Sequence, residues 1–317
     1  MSLPQVAFLF PGQGSQKVGM GKELAQLYPV ARHTFQEADE ALGFSVSQLC
    51  FEGPEEKLQM TEITQPALLT MSTAAARVLQ EKGVVPQYVA GHSLGEYSAH
   101  VAAGTISFAD AVRVVHNRGK YMQEAVPAGE GAMAAILALP LEQLRPLCEQ
   151  AAQGEVVSPA NINSPDQIVI SGHKGAVERA AELARQGGAK RVLMLAVSAP
   201  FHCVLMKPAQ DRLAEDLRGL KFGDPEVPVV ANVDAEPKTT AAASREALIQ
   251  QVTGTVQWLG CVQKLIQLGA TTFIEAGAGK VLSGLMRQID RAQTAVNAGD
   301  EDSLQKVTNL FAAASKE

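Results

Sequence analysis

Gly91-His92-Ser93-Leu94-Gly95-Glu96-Tyr97-Ser98-Ala99 is the stretch on which the fold of this chain turns. Pro86 and the short apolar run Gln87-Tyr88-Val89-Ala90 stand ahead of it, and residues 96–103 behind it suit a helix. A serine with glycines two places before and two after, set between strand and helix, predicts a nucleophile elbow. The tight turn demands small neighbours and lifts the hydroxyl clear of the sheet. It also aims that hydroxyl along a helix N-terminus, where unpaired N–H groups and the helix dipole favour a developing oxyanion. The same pattern also describes a plain strand-to-helix turn in which Ser93 only caps the helix.

Upstream, residues 6–10 read as a strand running into the loop Pro11-Gly12-Gln13-Gly14-Ser15-Gln16, with helices over 21–42 and 61–82. Downstream, helices cover 96–103 and 108–124. This βα alternation predicts a largely parallel sheet with helices on both faces. The character changes after Pro127: strands at 132–139, 156–162, 167–171 and 191–197 alternate with helices at 141–152 and 175–186. Asn163-Ser164-Pro165-Asp166 supplies a turn. That βαββαβ order is the split-βαβ arrangement of ferredoxin-like units. Then come a helix at 206–217, a strand at 227–231, helices at 244–252 and 255–267, a strand at 272–275, a further helix, and a polar, alanine-rich terminal helix. The expected fold is α/β: a parallel-sheet, α/β-hydrolase-like core from 1–126 and 198–317, with a ferredoxin-like subdomain inserted at 127–197.

Across 317 residues, 46% are hydrophobic and only 5% aromatic, with alanine, glycine, valine and leucine abundant, as packed helices on a buried sheet require. A net charge of −6 and the lack of any Lys/Arg run argue against nucleic acid as the main partner. Cys50, Cys148, Cys203 and Cys261 are widely spaced and form no C-x-x-C pair, so neither disulfides nor a zinc site are expected. With no basic-then-apolar leader at Met1 and no apolar run approaching the ~18 residues that span a bilayer, the expected location is the cytoplasm, away from membranes. Two glycine-rich loops fail as phosphate cradles. Ahead of Gly277-Ala278-Gly279-Lys280 the required glycine is Ile274, and Val281 follows the lysine; Pro11-Gly12-Gln13-Gly14 lacks a third glycine.

A serine nucleophile needs a base within hydrogen-bond reach. His33, His100 and His116 fall inside predicted helices, His173 sits in the inserted unit, and His92 should diverge from Ser93 at a sharp turn. His202 follows Ser198-Ala199-Pro200-Phe201, where the chain re-enters the core, and strand ends are where α/β proteins keep functional groups. It is the candidate base, a buried loop histidine being the alternative. None of the acids between Ser93 and His202, Glu96 among them, follows a core strand. A Ser–His dyad with the imidazole oriented by a backbone carbonyl therefore fits better than a triad.

Phe10-Pro11-Gly12-Gln13-Gly14-Ser15-Gln16, the elbow, the Arg118 segment, Phe201-His202, and Gln257-Trp258 followed by Glu275-Ala276-Gly277 occur together in order. Over essentially its whole length the chain resembles the malonyl-CoA:acyl-carrier-protein transacylases of bacterial fatty-acid synthesis. The resemblance implies ping-pong acyl transfer: Ser93 takes malonyl from coenzyme A, and the phosphopantetheine thiol of acyl carrier protein collects it. It implies His202 as base, oxyanion donors at Gln13 and Leu94, and a main-chain carbonyl of Gln251 orienting the histidine. It also implies Arg118 as the carboxylate partner, because a guanidinium fork suits bidentate pairing. The helix at 108–124 taken alone would place that arginine on the surface. Leaving it buried and unpaired beside acetyl would cost about 2–4 kcal/mol, which favours malonyl. His92 joins the substrate-binding set, and Phe201, where some relatives carry serine, is expected to exclude an α-methyl branch. Thr253-Gly254-Thr255 departs from the family's usual Asn-Pro after Gln251. No metal or redox cofactor is implied, coenzyme A being part of a substrate. An acidic carrier protein would dock near Lys190 and Arg191. The rivals are a serine esterase or thioesterase with water as acceptor, and a non-catalytic carrier-protein-binding subunit.

Overall fold

The computed structural model describes residues 5–197 and 199–314. Met1, residue 198 at the expected re-entry boundary, and residues 315–317 lie outside the described residues. In chain order the first elements are β1 (Val6–Phe10), α1 (Lys22–Leu27), α2 (Pro29–Leu42), α3 (Val46–Glu52), α4 (Glu55–Leu58), α5 (Thr61–Glu81), β2 (Tyr88–Gly91), α6 (Gly95–Ala102) and α7 (Phe108–Glu124). Next come β3 (Gly131–Leu137), α8 (Leu141–Ala152), β4 (Val157–Ser164), β5 (Gln167–His173), α9 (Lys174–Gln186) and β6 (Arg191–Met194). The chain continues through α10 (Lys207–Gly219), β7 (Val229–Val230), β8 (Pro237–Lys238), α11 (Ala241–Gln251) and α12 (Trp258–Gln267). It closes with β9 (Thr272–Ala276), α13 (Val281–Ile289), β10 (Thr294–Ala298) and α14 (Glu301–Ala314).

Two sheets result. The larger has the order β10-β9-β1-β2-β7-β8, parallel except for the β7–β8 pair. Its centre, β1, is buried at every residue, as a strand covered on both faces must be. The smaller sheet is fully antiparallel in the order β4-β5-β3-β6, with α8 and α9 interleaved, which is the ferredoxin-like arrangement. The α/β class with a hydrolase-like core and a small second unit is thus the observed fold. Backbone ties β4 of the smaller sheet to the segment between α11 and α12: Ile162 donates to the Val256 carbonyl (2.9 Å), and Val256 donates to that of Ala160 (2.8 Å). Thr255, in the segment that departs from the family pattern, adds Oγ1 to the Pro159 carbonyl at 2.8 Å.

Several elements differ from expectation for physical reasons. The helix expected over 21–42 is two, because Pro29 forces the preceding Tyr28 into extended backbone (φ −117°, ψ 117°) and then opens α2 as its first residue. β4 runs on through Ser164, so the turn there is shorter than the Asn163–Asp166 reading. β10 is a half-exposed edge strand whose pattern, Thr-Ala-Val-Asn-Ala, carries little apolar signal. In α5, Pro66 cannot donate to the Glu62 carbonyl one turn back. The ring of His116 takes that carbonyl at 2.8 Å from Nδ1, tying α5 to α7. All four cysteines are free and buried. No described helix is long and apolar enough to cross a membrane.

Candidate active site

β2 ends at Gly91 and α6 begins at Gly95, leaving three residues to reverse the chain. A Cβ on Gly91 would lie 1.9 Å from the Gly95 carbonyl, and one on Gly95 would lie 2.0 Å from the Phe10 oxygen of β1. The two glycines are therefore required by contact with each other and with the central strand. Between them Ser93 is held at φ +53°, a left-handed conformation that costs a non-glycine residue of order 1–3 kcal/mol and persists only when its surroundings impose it.

His202, also left-handed at φ +58° and almost wholly buried, faces the serine. Ser93 Oγ lies 2.6 Å from His202 Nε2, and His202 Nδ1 lies 3.0 Å from the main-chain oxygen of Gln251 in α11. A carbonyl only accepts, so Nδ1 carries the proton; Nε2 is then the acceptor and Ser93 O–H its donor. Burial, and secondly the charge of Arg118, push the imidazole pKa down to about 3. The histidine is neutral at physiological pH and free to receive a proton.

Arg118 is 1% exposed. It occupies the apolar stripe of α7 with Ala111, Val115 and Met122, at spacings that put all four on one helix face. That stripe was the signal against a surface reading of this arginine. Its Nη1 donates to Gln65 Oε1 of α5 (2.8 Å), and its Nη2 to Gln251 Oε1 (2.9 Å) and Ser93 Oγ (3.2 Å). Ser93 and His202 line one cleft of about 540 Å³ together with Gln13, Met133, Asn161 and Phe201, and the Arg118 guanidinium reaches the serine hydroxyl from α7.

The remaining expected residues are distributed unevenly. Leu94 is the N-cap of α6, and among the described residues neither its N–H nor that of Gln13 donates to a protein backbone acceptor. His92 turns its ring from the serine, with Nε2 2.8 Å from Asn163 Oδ1 of β4 and the ring 5.6 Å from that of Trp258. Lys190 and Arg191 are exposed at the start of edge strand β6. Glu275 caps α13, accepting from the N–H groups of Leu282 (3.0 Å) and Ser283 (2.7 Å).

Three buried residues at the site were given no role from the sequence, Glu96 having been weighed only as a triad acid. Gln65 lies one helical turn beyond Thr61 in a helix buried on nearly all sides, where a buried glutamine is itself a signal. Asn232, just past β7, accepts from Ser93 N–H (2.7 Å) and donates Nδ2 to the Gly91 carbonyl (2.7 Å). Glu96 accepts at one oxygen from Asn232 N–H (3.0 Å) and from Gln251 Nε2 (2.7 Å). Burial pushes its carboxyl up to about 7, against those hydrogen bonds and the nearby Arg118. Among the described residues no cluster of three or more His, Cys, Asp or Glu side chains could hold a metal ion.

The acyl transferase domain family matches residues 7–304. The chain is 53% identical to the malonyl CoA-acyl carrier protein transacylase of Escherichia coli K12, over 97% of this chain and all of that one. It superposes on the corresponding Coxiella burnetii transacylase with a TM-score of 0.95 and 44% identity, covering 98% of this chain and 99% of that one. A malonyl-transacylase solved in complex with a type II PKS acyl-carrier protein is similar at TM-score 0.94 and 49% identity, over 96% and 99% of the two chains.

Proposed function

The chain belongs to the acyl transferase family of malonyl CoA-acyl carrier protein transacylases, and from that membership we propose that it carries malonyl from coenzyme A to the phosphopantetheine thiol of acyl carrier protein, supplying fatty-acid elongation in the cytoplasm. One observation supports this reading above the others: Ser93 Oγ lies 2.6 Å from a neutral His202 and 3.2 Å from the Arg118 guanidinium.

In the first half-reaction the Ser93 proton passes to His202 Nε2 as Oγ attacks the thioester carbonyl. The Gln13 and Leu94 N–H groups receive the oxyanion, a contribution of about 10²–10³-fold in rate for one such donor. The tetrahedral adduct collapses to the malonyl-Ser93 ester, the C–S bond breaks, and coenzyme A leaves with the proton held by His202. In the second half-reaction the carrier-protein thiol gives its proton to His202 and attacks the ester, and Ser93 departs with that proton restored. Gln251 keeps Nδ1 protonated throughout by accepting from it, as a dyad without an acid requires.

Arg118 selects the acyl group. Of its donors, one Nη2–H rests on Ser93 Oγ and one Nη1–H has no assigned acceptor, so a malonyl carboxylate meets a fork already held by Gln65 and Gln251. The carboxylate also offsets the positive charge that helps suppress His202 basicity, so the correct substrate strengthens the base it depends on. Phe201, in the cleft wall, opposes an α-methyl branch. The carrier protein docks along edge strand β6, where the exposed charges of Lys190 and Arg191 stand beside exposed Leu193 and Met194. The reaction calls for no resident metal or redox cofactor, the coenzyme A thioester entering as substrate. Incubation with radiolabelled malonyl-CoA should place label on Ser93 and then on added carrier protein. Label released as free malonate instead would make the enzyme a hydrolase, and no label on Ser93 would end the reading.

A further inference from the structure

Glu96 follows the second elbow glycine, is fully buried, and has no part in the transfer steps above. Its position becomes informative through Gln251. That carboxamide has its nitrogen on Glu96 Oε2 (2.7 Å) and the Ser93 carbonyl (2.9 Å), and its oxygen on Arg118 Nη2 (2.9 Å). Turned half round, the amide would set its N–H groups against the guanidinium and its oxygen against both a carboxylate and a carbonyl. A carboxylate or carbonyl oxygen at Glu96 Oε2 therefore dictates which end of Gln251 faces Arg118. The same Oε2 accepts from Asn232 N–H, and Asn232 holds the elbow from both sides through Ser93 N–H and the Gly91 carbonyl. One buried oxygen thus links the strained turn carrying the nucleophile to the amide that aims the arginine. Glu96 Oε1, by contrast, has no partner among the described residues.

We propose that Glu96 is a positioning residue for malonyl selection: by accepting from Gln251 Nε2 it fixes the carboxamide whose oxygen holds Arg118 beside Ser93. This deepens the reading in which Arg118 pairs with the malonyl carboxylate, and it rests on that reading. It also makes a chemical distinction. Since only Oε2 is engaged, glutamine at this position can present its carbonyl oxygen to the same two donors, with its NH₂ in the unpartnered Oε1 place, whereas alanine cannot.

The test compares Glu96→Ala, Glu96→Gln and Arg118→Ala, measuring kcat and KM for malonyl and acetyl transfer from the coenzyme A thioesters to carrier protein. Glu96→Ala should lower the malonyl-to-acetyl ratio of kcat/KM by about 10- to 100-fold, mainly through the malonyl-CoA KM, while Glu96→Gln should keep it within about threefold of wild type. Equal losses on both substrates in Glu96→Ala, or a collapse of the ratio in Glu96→Gln, would overturn the proposal. Arg118→Ala separates the two layers: if it alone destroys the ratio, only the role of Glu96 fails, and if it leaves the ratio intact, the underlying reading fails. Should Glu96→Ala not fold, Gln251→Met makes the same comparison one link along, keeping the main-chain oxygen for His202 and deleting the amide. An unchanged ratio there would equally overturn the proposal.

Discussion

Replacing Arg118 by alanine should divide two substrates that differ only in a carboxylate. The guanidinium is buried, already oriented by Gln65 Oε1 and Gln251 Oε1 at 2.8 and 2.9 Å, and lies 5.4 Å from the ring centre of Tyr97. A malonyl carboxylate on this fork makes two charge-assisted hydrogen bonds at roughly 1.5–3 kcal/mol each. Part is returned in stripping water from the carboxylate, leaving a net ~3–4 kcal/mol, or ~10²–10³ in kcat/KM. Deletion also orphans two glutamine oxygens, at a cost of about 1–3 kcal/mol apiece that falls on folding and leaves the ratio of the two substrates untouched. The ratio of malonyl to acetyl transfer therefore isolates the carboxylate contribution. Acetyl transfer should hold or rise, because removing the charge relieves one cause of the depressed His202 pKa. The assay is steady-state transfer of each acyl group to carrier protein, with thermal melts as the folding control. Malonyl and acetyl falling by the same factor, in step with a loss of stability, would make Arg118 structural and refute the reasoning.

Four further outcomes follow from the same site. Since burial and Arg118 hold His202 near 3, below the ordinary 6.5, acylation of Ser93 by an uncharged sulfonyl fluoride should stay flat from pH 8 to pH 5. An inflection near 6.5 would contradict the burial argument; stability linked to this histidine is present above 6.5 and lost as pH falls toward its folded value. Glu96 runs the other way: a carboxyl raised from 4.5 to about 7 is neutral and harmless in the fold at low pH and costs it about 3 kcal/mol as pH rises through that interval. The stability gap between Glu96→Gln and wild type should thus widen from pH 5 to pH 8 in urea unfolding, and a pH-independent gap would rule out the buried-carboxyl account. Phe201→Ser should admit methylmalonyl-CoA, an unchanged preference counting against a steric role for the ring. Charge reversal at Lys190 and Arg191 should raise the KM for carrier protein and leave that for malonyl-CoA alone; equal effects on both would remove β6 as the docking edge.

What could be read directly from residues was whatever local sterics decide. Gly91 and Gly95 forecast the elbow because no side chain fits between α6 and β1. The alternation after Pro127 forecast the four-stranded antiparallel unit because side-chain period sets which face of a strand is buried. Pro29 likewise holds the signal for the break at Tyr28 that the helical pattern concealed. The absence of an acid after any core strand pointed to a carbonyl-oriented histidine, but only the resemblance pointed to the carbonyl of Gln251, 49 positions beyond it. Resemblance, not periodicity, singled out Arg118, although its place on the apolar stripe of α7 was there to be seen. Glu96 and Asn232 carried no comparable mark, since an acid or amide in a helix or loop is ordinarily solvated, and Gln65 carried only that of a polar residue within an apolar helix. Their roles exist only once α5, α7, α11 and the end of β7 pack around one turn, expelling water and leaving each polar atom to find its partner among the others. Turns and periods are properties of neighbours in the chain; a buried hydrogen-bond network is a property of neighbours in space, and only the packed fold brings those together.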